Sequence, residues 1–276
     1  MSEHILAHLA RVDAVLGGLI RAVGPCGLEP HNDCHPFQSL AQAIAHQQLN
    51  RTAANTILGR LIHSCGEGGA FPTPQRVLAA SAESLRAAGF SFAKVAALRD
   101  LAEKTLAEVV PDAATLLQLS DEEIIARLTQ VRGIGRWTVQ MLLMFQLGRP
   151  DVLPVDDFGV RGGFRAAYGL SRLPQPKALA AWGERWKPYR STAAWYLWRA
   201  LELKQAGTLP APAQRIRLPR VKKARRRRLP KTAARAARGK LSSRAAASSA
   251  RPRRSDERTH SRRPPARRSR APGSRR

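Results

Sequence analysis

Apolar residues recur every three or four positions along most of residues 1–210, which is the period of a helix that buries one face. The first such segment, residues 5–23, ends at Gly24-Pro25, a pair that stops a helix. No alternating strand pattern competes with this period, so the fold is predicted to be all-α. The further predicted helices cover about residues 37–47, 51–64, 74–80, 92–109, 121–130, 136–147, 157–168, 176–186 and 191–205.

Charge separates residues 1–210 from residues 211–276. The second segment carries 25 Lys and Arg against two acidic residues, so it holds +23 of the formal net charge of +27. It is rich in Arg, Ala, Ser and Pro and has few large apolar side chains, so it is predicted to be a disordered tail. Its expected role is salt-sensitive attachment to DNA without sequence preference.

A turn between two predicted helices carries the first candidate chemistry. Gly133 and Gly135 flank Ile134, which allows a sharp bend and brings bare backbone amides to the start of the next helix. Such a helix start attracts a phosphate, although bland helical hairpins use the same turn. The predicted contacts to a DNA backbone come from Arg132, Gly133, Gly135, Arg136 and Thr138.

Several separated motifs follow one another in a recognisable order. Residues 131–138 are followed by a Gly-Arg-Pro-Asp loop at 148–151 and by Pro-Val-Asp-Asp-Phe-Gly-Val-Arg at 154–161. Paired glutamines at 47–48, the segment 85–94 and the aromatic segment 186–198 flank them. In this order the motifs resemble the helix-hairpin-helix superfamily of DNA glycosylases over roughly residues 35 to 205, most of all the DNA-3-methyladenine glycosylase II group.

This resemblance implies a fold, a reaction and a partner. The expected fold has two helical lobes with the active site between them, in a short form without the β-rich N-terminal domain of larger members. The expected reaction is hydrolysis of the N-glycosidic bond of alkylated purines, such as 3-methyladenine and 7-methylguanine, in base excision repair. The expected partner is double-stranded DNA that contains alkylated bases, bound by a monomer.

The resemblance also assigns the acid. Asp157 stands directly before Phe-Gly-Val-Arg, as the catalytic acid of the family does, and at a predicted helix start. A carboxylate there would stabilise the positive charge that develops on the sugar. Asp156 is the alternative, and its other interpretation is a helix cap. Trp137 stands where lyase members carry a Schiff-base lysine, so a monofunctional enzyme without lyase activity is expected.

Aromatic residues are the candidates for the base pocket. An electron-rich indole attracts the positive ring of an alkylated purine, so Trp137, Trp198 and Tyr196 are predicted to line the pocket. Their alternative role is ordinary packing, because Trp182, Trp186 and other large aromatics share the same helical stretch.

A side chain must fill the gap that a flipped nucleotide leaves in the duplex. Gln47, Gln48 and Leu49 are the candidates, with Gln48 first, although an amphipathic helix end is the alternative interpretation. The chain departs from the family pattern at His46, Asn50 and Arg132, where glycine, serine and proline are common.

The remaining features narrow the class of protein. Three cysteines, at 26, 34 and 65, have no spacing typical of zinc or an iron–sulfur cluster, so no metal or cofactor is expected. A monovalent cation on hairpin carbonyls, as in relatives, is left open. No 18-residue apolar run and no signal peptide are found, which predicts a cytoplasmic protein, near the nucleoid in a bacterium, or a nuclear one in a eukaryote. Two other functions remain open: a non-catalytic sensor of alkylation damage, and a glycosylase for oxidised or mismatched bases.

Overall fold

The computed structural model describes residues 3–30, 35–212, 216 and 218. The chain divides into two units, residues 1–222 and 223–276, and the second lies outside the described residues. Every regular element of the described part is a helix, as predicted. The helices are α1 (Glu3–Val12), α2 (Ala14–Val23), α3 (Pro36–His46), α4 (Arg51–Cys65), α5 (Pro74–Ala79), α6 (Ala82–Ala87), α7 (Phe92–Leu106), α8 (Ala113–Gln118), α9 (Asp121–Leu128), α10 (Arg136–Phe145), α11 (Phe158–Ala167), α12 (Pro176–Gly183), a 3-10 turn (Glu184–Trp186) and α13 (Arg190–Ala206).

The helices pack in two groups. In the first group, α7 packs against α3, α5 and α6, while α10 packs against α3 and α9. In the second group, α13 packs against α11 and α2, and α1 packs against α2 and the 3-10 turn. The N-terminal helices therefore join the C-terminal helices in one lobe, and the middle of the chain forms the other. This arrangement confirms the predicted two-lobed helical fold.

Asp13 breaks the first predicted helix into α1 and α2. Its backbone is extended, with φ −149°, and its carboxylate accepts from two amides at the start of α2. The buried carboxylate also accepts from the Tyr168 hydroxyl at 2.6 Å and from the indoles of Trp182 and Trp186 at 3.2 and 3.0 Å. Burial and the charge of Asp13 raise the pKa of Tyr168. Asp13 therefore ties the N-terminal helices to the end of α11.

Two short helices, α6 and α8, were not predicted. Each has six residues, and each begins at a side-chain cap, Ser81 and Asp112 respectively. A helix of this length offers too few apolar positions for its period to stand out from a loop. Both pack at the edge of the first lobe and leave its core unchanged.

The predicted tail begins close to the folded unit. Ile216 and Leu218, inside the proposed tail of residues 211–276, pack against the hydrophobic core. The rest of that segment, from residue 219 onward, lies outside the described residues, so its disorder stays a prediction. None of the helices in the described ranges is long and apolar enough to cross a membrane.

Candidate active site

The hairpin between α9 and α10 has the predicted form. Ser120 and Glu123 form a capping box at the start of α9. Gly133 has φ +78°, a left-handed conformation that favours glycine, and Ile134 is buried beneath the turn. Gly135 is the N-cap of α10 and supplies no side chain to its first amides. The start of α10 therefore offers free N–H groups on an exposed surface.

Side chains from elsewhere in the lobe hold the turn in place. Asp100 accepts from the Arg132 amide at 2.6 Å, and the Gln47 side chain donates to the Gly133 carbonyl at 2.8 Å. Burial alone would raise the pKa of Asp100, but the Arg132 amide and the nearby Lys104 ammonium outweigh it and lower that pKa. An ionised Asp100 therefore stabilises the turn.

The two arginines of the hairpin differ in their partners. Arg136 makes a two-point ion pair with Glu122, so part of its charge is already neutralised. Arg132 is exposed, and its backbone amide is the group that binds Asp100. Thr138 is half-buried and lines the cleft described below.

Asp157 is the N-cap of α11. Its Oδ1 accepts from the Val160 amide at 2.7 Å, and α11 begins one residue later at Phe158. The helix start places a partial positive charge beside the carboxylate. Asp156 is exposed and caps no helix. The alternative interpretation of Asp156 as the helix cap is therefore wrong, because Asp157 itself makes that bond.

Two tryptophans from different lobes bind the Asp157 carboxylate. The Trp137 indole donates to Oδ2 at 2.8 Å, and the Trp198 indole donates to Oδ1 at 2.8 Å. Together with the Val160 amide, three N–H groups point at the carboxylate. Three donors suit an ionised carboxylate, which accepts hydrogen bonds and donates none. The arrangement fixes both the position and the orientation of a negative charge.

Gly159 allows Trp198 to reach the acid. A Cβ atom at this position would lie 2.7 Å from Cδ1 of Trp198 and 3.1 Å from Oδ1 of Asp157. Phe145 stacks on the other side of the Trp198 indole, with ring centroids 5.8 Å apart. The indole is therefore held between an aromatic ring of α10 and the glycine face of α11.

A cleft of about 760 Å³ adjoins the acid. Trp137, half exposed at 49%, forms part of its wall and donates to Asp157. Both long walls are helical: α10 supplies Trp137, Thr138, Met141, Leu142, Phe145 and Gln146, and α3 supplies Ser39, Leu40, Gln42, Ala43 and His46. A cavity of this size and aromatic character is suited to a single small aromatic molecule or base.

The loop between α3 and α4 borders the same cleft. Gln48 is exposed and has φ +58°, a left-handed conformation that is uncommon for a residue with a side chain. Leu49 is 41% exposed, whereas Gln47 is turned toward the hairpin carbonyl. The ammonium of Lys94 lies 2.8 Å from the carbonyl oxygens of Ala45 and Gln47, and partial burial lowers the pKa of Lys94. These contacts anchor the base of the loop and leave Gln48 at its tip.

The structure corrects the prediction that Tyr196 lines the base pocket. Tyr196 is fully buried, and its hydroxyl donates to the Gly24 carbonyl at 2.8 Å. Burial and the neighbouring Cys26 raise its pKa to about 12. Two residues on a helix are about 200° apart, so Tyr196 and Trp198 cannot face the same side of α13. Trp182 and Trp186 are also buried, in agreement with their interpretation as core residues.

Four residues of the site were not among the predicted ones. Asp100, Lys94, Phe145 and Gly159 act through partners that are distant in the sequence, so their neighbours along the chain give no sign of the role. The segment containing Lys94 belongs to a recurrent family motif, which was the one available signal. Among the described residues, no group of three or more His, Cys, Asp or Glu side chains could hold a metal ion.

Comparison with known proteins agrees with this geometry. Residues 41–188 match the family model described as HhH-GPD superfamily base excision DNA repair protein. The chain is 40% identical over 199 residues to DNA-3-methyladenine glycosylase 1 of Schizosaccharomyces pombe, covering 71% of this chain and 86% of the relative. It is 34% identical over 200 residues to the alkylbase DNA glycosidase-like protein mag2 of the same organism, covering 72% of this chain and 94% of the relative.

Solved structures with the same fold include DNA glycosylases with and without DNA. The S. pombe 3-methyladenine DNA glycosylase in complex with abasic DNA has a TM-score of 0.63 and 39% identity, covering 71% of this chain and 95% of that one. A DNA-3-methyladenine glycosidase from Bacillus halodurans has a TM-score of 0.66 and 34% identity, covering 74% and 92%. With its helical hairpin, its Asp157 held by two indoles and its matched region of residues 41–188, the chain belongs to the HhH-GPD superfamily of base excision DNA repair proteins.

Proposed function

We propose that this protein is a monofunctional DNA glycosylase that releases alkylated purines, such as 3-methyladenine and 7-methylguanine, from double-stranded DNA. The observation that carries the proposal is the Asp157 carboxylate, bound by the indoles of Trp137 and Trp198 beside a cleft large enough for a base. The names of the relatives, which are 3-methyladenine glycosylases, support the substrate class.

The acid would act on the sugar. Breaking the N-glycosidic bond builds positive charge at the anomeric carbon, and a fixed carboxylate stabilises this charge more in the transition state than in the ground state. Because both indoles and the Val160 amide hold Asp157 before substrate binds, little reorganisation is needed during the reaction. The same carboxylate can orient the water that completes hydrolysis.

The cleft would recognise the base. An alkylated purine carries positive charge on its ring, and the exposed face of Trp137 attracts it by stacking and cation–π interaction. Phe158, which follows the acid and is 70% exposed, adds an apolar surface at the mouth. A positively charged purine is already a good leaving group, so the enzyme needs less acid catalysis to release it.

The nucleotide must leave the duplex to reach this cleft, at a cost of about a few kcal/mol. Gln48 is the proposed wedge, because its exposed side chain stands at a loop tip in a left-handed conformation that the flanking contacts maintain. Such local strain at an exposed position is typical of functional sites. Leu49 lies beside it and would cover the neighbouring base pair.

The hairpin would bind the DNA backbone next to the flipped nucleotide. The free amides at the start of α10 and the exposed Arg132 offer donors and positive charge to a phosphate. Arg136 would have to share its guanidinium between Glu122 and the phosphate. Gly133 and Gly135 keep the backbone accessible, and Thr138 lies at the cleft side of the same turn.

Absence of lyase activity is part of the proposal. Trp137 occupies the hairpin position at which lyase relatives carry lysine. Lys94 lines the cleft, but two carbonyl oxygens hold its ammonium group at 2.8 Å. A nucleophilic amine would have to break both bonds before it could form a Schiff base. The product is therefore expected to be an intact strand with an abasic site.

No resident metal or cofactor is proposed. A monovalent cation on the hairpin carbonyls would have to share the Val131 oxygen with the Ile134 amide at 3.0 Å and the Gly133 oxygen with Gln47 at 2.8 Å. Each carbonyl has a second lone pair, so the turn fits such an ion without rearrangement. The protein is proposed to act as a monomer, in the cytoplasm of a bacterium or in the nucleus of a eukaryote.

Release of free base tests this function. Purified protein is incubated with duplex DNA containing a single 7-methylguanine or 3-methyladenine, with undamaged and 8-oxoguanine duplexes as controls. Release of the methylated bases, with an intact strand until alkali is added, is the expected result. Tight binding without release would leave a damage sensor, and preferential release of 8-oxoguanine would indicate the sister glycosylase.

A further inference from the structure

The cleft has two chemically different walls. Trp137, Met141 and Phe145 recur every four residues along α10 and make one wall apolar and aromatic. Ser39, Gln42 and His46 recur every three or four residues along α3 and make the facing wall polar. This spacing places each set on a single face of its helix.

The polar wall has hydrogen-bonding capacity that the protein itself does not use. Each of its three side chains is half-buried, and none has a hydrogen-bond partner among the residues that the structure describes. The hydroxyl, the carboxamide and the imidazole each provide at least one donor. By contrast, the neighbouring Gln47 and Lys94 are committed to backbone carbonyls.

We propose that Gln42 and His46 are specificity-determining residues that donate hydrogen bonds to the ring edge of an extruded, uncharged purine. They would extend base release from cationic lesions to neutral ones that have acceptor atoms on this edge. The inference rests on the proposed glycosylase function and deepens it by naming a second substrate class for the same cleft.

The chemistry of the leaving group gives the reason. A cationic base departs as a neutral molecule, and stacking on Trp137 is enough to hold it. A neutral purine departs with the bonding electron pair and develops negative charge on its ring, as positive charge develops on the sugar. Donors that face the ring bind this developing charge more strongly in the transition state than in the ground state, so they accelerate release.

The proposal needs no change in the charge of His46. An imidazole carries at least one N–H in both its neutral and its protonated form. The other ionisable side chain that lines the cleft is Lys94, whose ammonium points to the end of α3. A fixed donor set on one helix face is therefore sufficient.

Single-turnover release from two duplexes tests this inference. One duplex contains deoxyinosine, whose hypoxanthine base is neutral, and the other contains 7-methylguanine. Gln42→Leu and His46→Phe remove the donors while keeping side-chain bulk, and His46→Gln retains a donor. Gln38→Leu is the matched control, because Gln38 lies on α3 but does not line the cleft.

We expect Gln42→Leu and His46→Phe to lower the rate of hypoxanthine release by about tenfold or more, while changing 7-methylguanine release by less than about twofold. His46→Gln should recover part of the loss, and Gln38→Leu should match the wild type. Normal 7-methylguanine release by the same variants shows that they are folded.

The possible failures are distinguishable. If the wild type releases neither base, the proposed function is wrong, and this inference falls with it. If it releases 7-methylguanine but not hypoxanthine, the inference alone is overturned. Equal losses on both duplexes, or no loss on either, would also overturn it, since the polar wall would then have no selective effect on neutral bases.

Discussion

Gly159 lies directly against the indole of Trp198, so closely that a Cβ atom at this glycine would be 2.7 Å from Cδ1 of the ring. The same Cβ atom would be 3.1 Å from Oδ1 of Asp157. The absent side chain therefore makes room for the hydrogen bond between Trp198 and the acid. The position of the catalytic charge depends on a residue that has no chemistry of its own.

The first prediction is that Gly159→Ala impairs catalysis more than binding. The new methyl group would push the indole of Trp198 away from Asp157, and a misplacement of about 1 Å at a reacting centre lowers the rate by about 100-fold. Single-turnover release of 7-methylguanine at saturating protein should fall accordingly, while affinity for undamaged DNA stays unchanged.

Gly162→Ala is the matched control on the same helix. Its Cβ atom would lie 3.4 Å from two methyl groups of Leu201, which is ordinary packing distance. This variant should retain base release. Equal rates for both alanine variants would contradict the role assigned to Gly159.

The second prediction concerns the cleft lysine. Borohydride should trap no covalent complex between the wild-type protein and DNA that contains 7-methylguanine, because Trp137 stands in place of a lysine and Lys94 is bound to two carbonyls. The readout is a shifted band on a denaturing gel, with a known bifunctional glycosylase as positive control. A trapped band that disappears in Lys94→Gln would show lyase chemistry from this residue.

The third prediction tests the corrected position of Tyr196. Tyr196→Phe leaves the Gly24 carbonyl without its donor, so the free energy of unfolding should fall by about 1 kcal/mol. Base release should be unaffected, because the side chain is buried away from the cleft. Denaturant unfolding and single-turnover assays of the same preparation check both parts.

Trp198→Phe provides the contrast, since it removes the indole N–H from Asp157 and should slow base release. A selective loss of release in Tyr196→Phe, with normal stability, would return Tyr196 to the pocket.

How far the sequence predicted the molecule depends on the range over which each residue acts. The hairpin was predictable because the cap at Ser120, the glycines and the apolar face of α10 all lie within one continuous stretch. The break at Asp13 was not, because its partners Tyr168 and Trp186 lie 155 and 173 residues away. The apolar period continues across Asp13 since this side chain is itself buried.

The site shows the same division. Asp157 was predictable from its motif and its helix start, and its position as the N-cap of α11 agrees with that expectation. Motif order alone could not distinguish Tyr196 from Trp198, because it does not state which face of α13 meets α11. Asp100 gave no local signal, since its role arises from the Arg132 amide 32 residues away.

The fourth prediction separates the tail from the site. Residues 223–276 carry 21 Lys and Arg against Asp256 and Glu257. Truncation after Lys222 keeps Ile216 and Leu218, which pack against the core. The truncated protein should bind DNA more weakly and with a shallower dependence on salt, because the slope decreases by about 0.9 for each phosphate that the tail no longer neutralises.

Base release at saturating truncated protein should equal that of the full chain. A truncated protein that binds damaged DNA but releases no base would place part of the tail in the active site.

The central claim is that the Asp157 carboxylate stabilises the sugar cation, and the most direct test is single-turnover release of 7-methylguanine by Asp157→Asn. Asparagine keeps an oxygen to cap α11 but removes the negative charge, while Asp156→Asn removes an exposed charge one residue away. With all three proteins at saturation, we expect Asp157→Asn to lose release by about 100-fold or more and Asp156→Asn to match the wild type. Wild-type rates in Asp157→Asn, or the loss appearing in Asp156→Asn instead, would contradict this assignment.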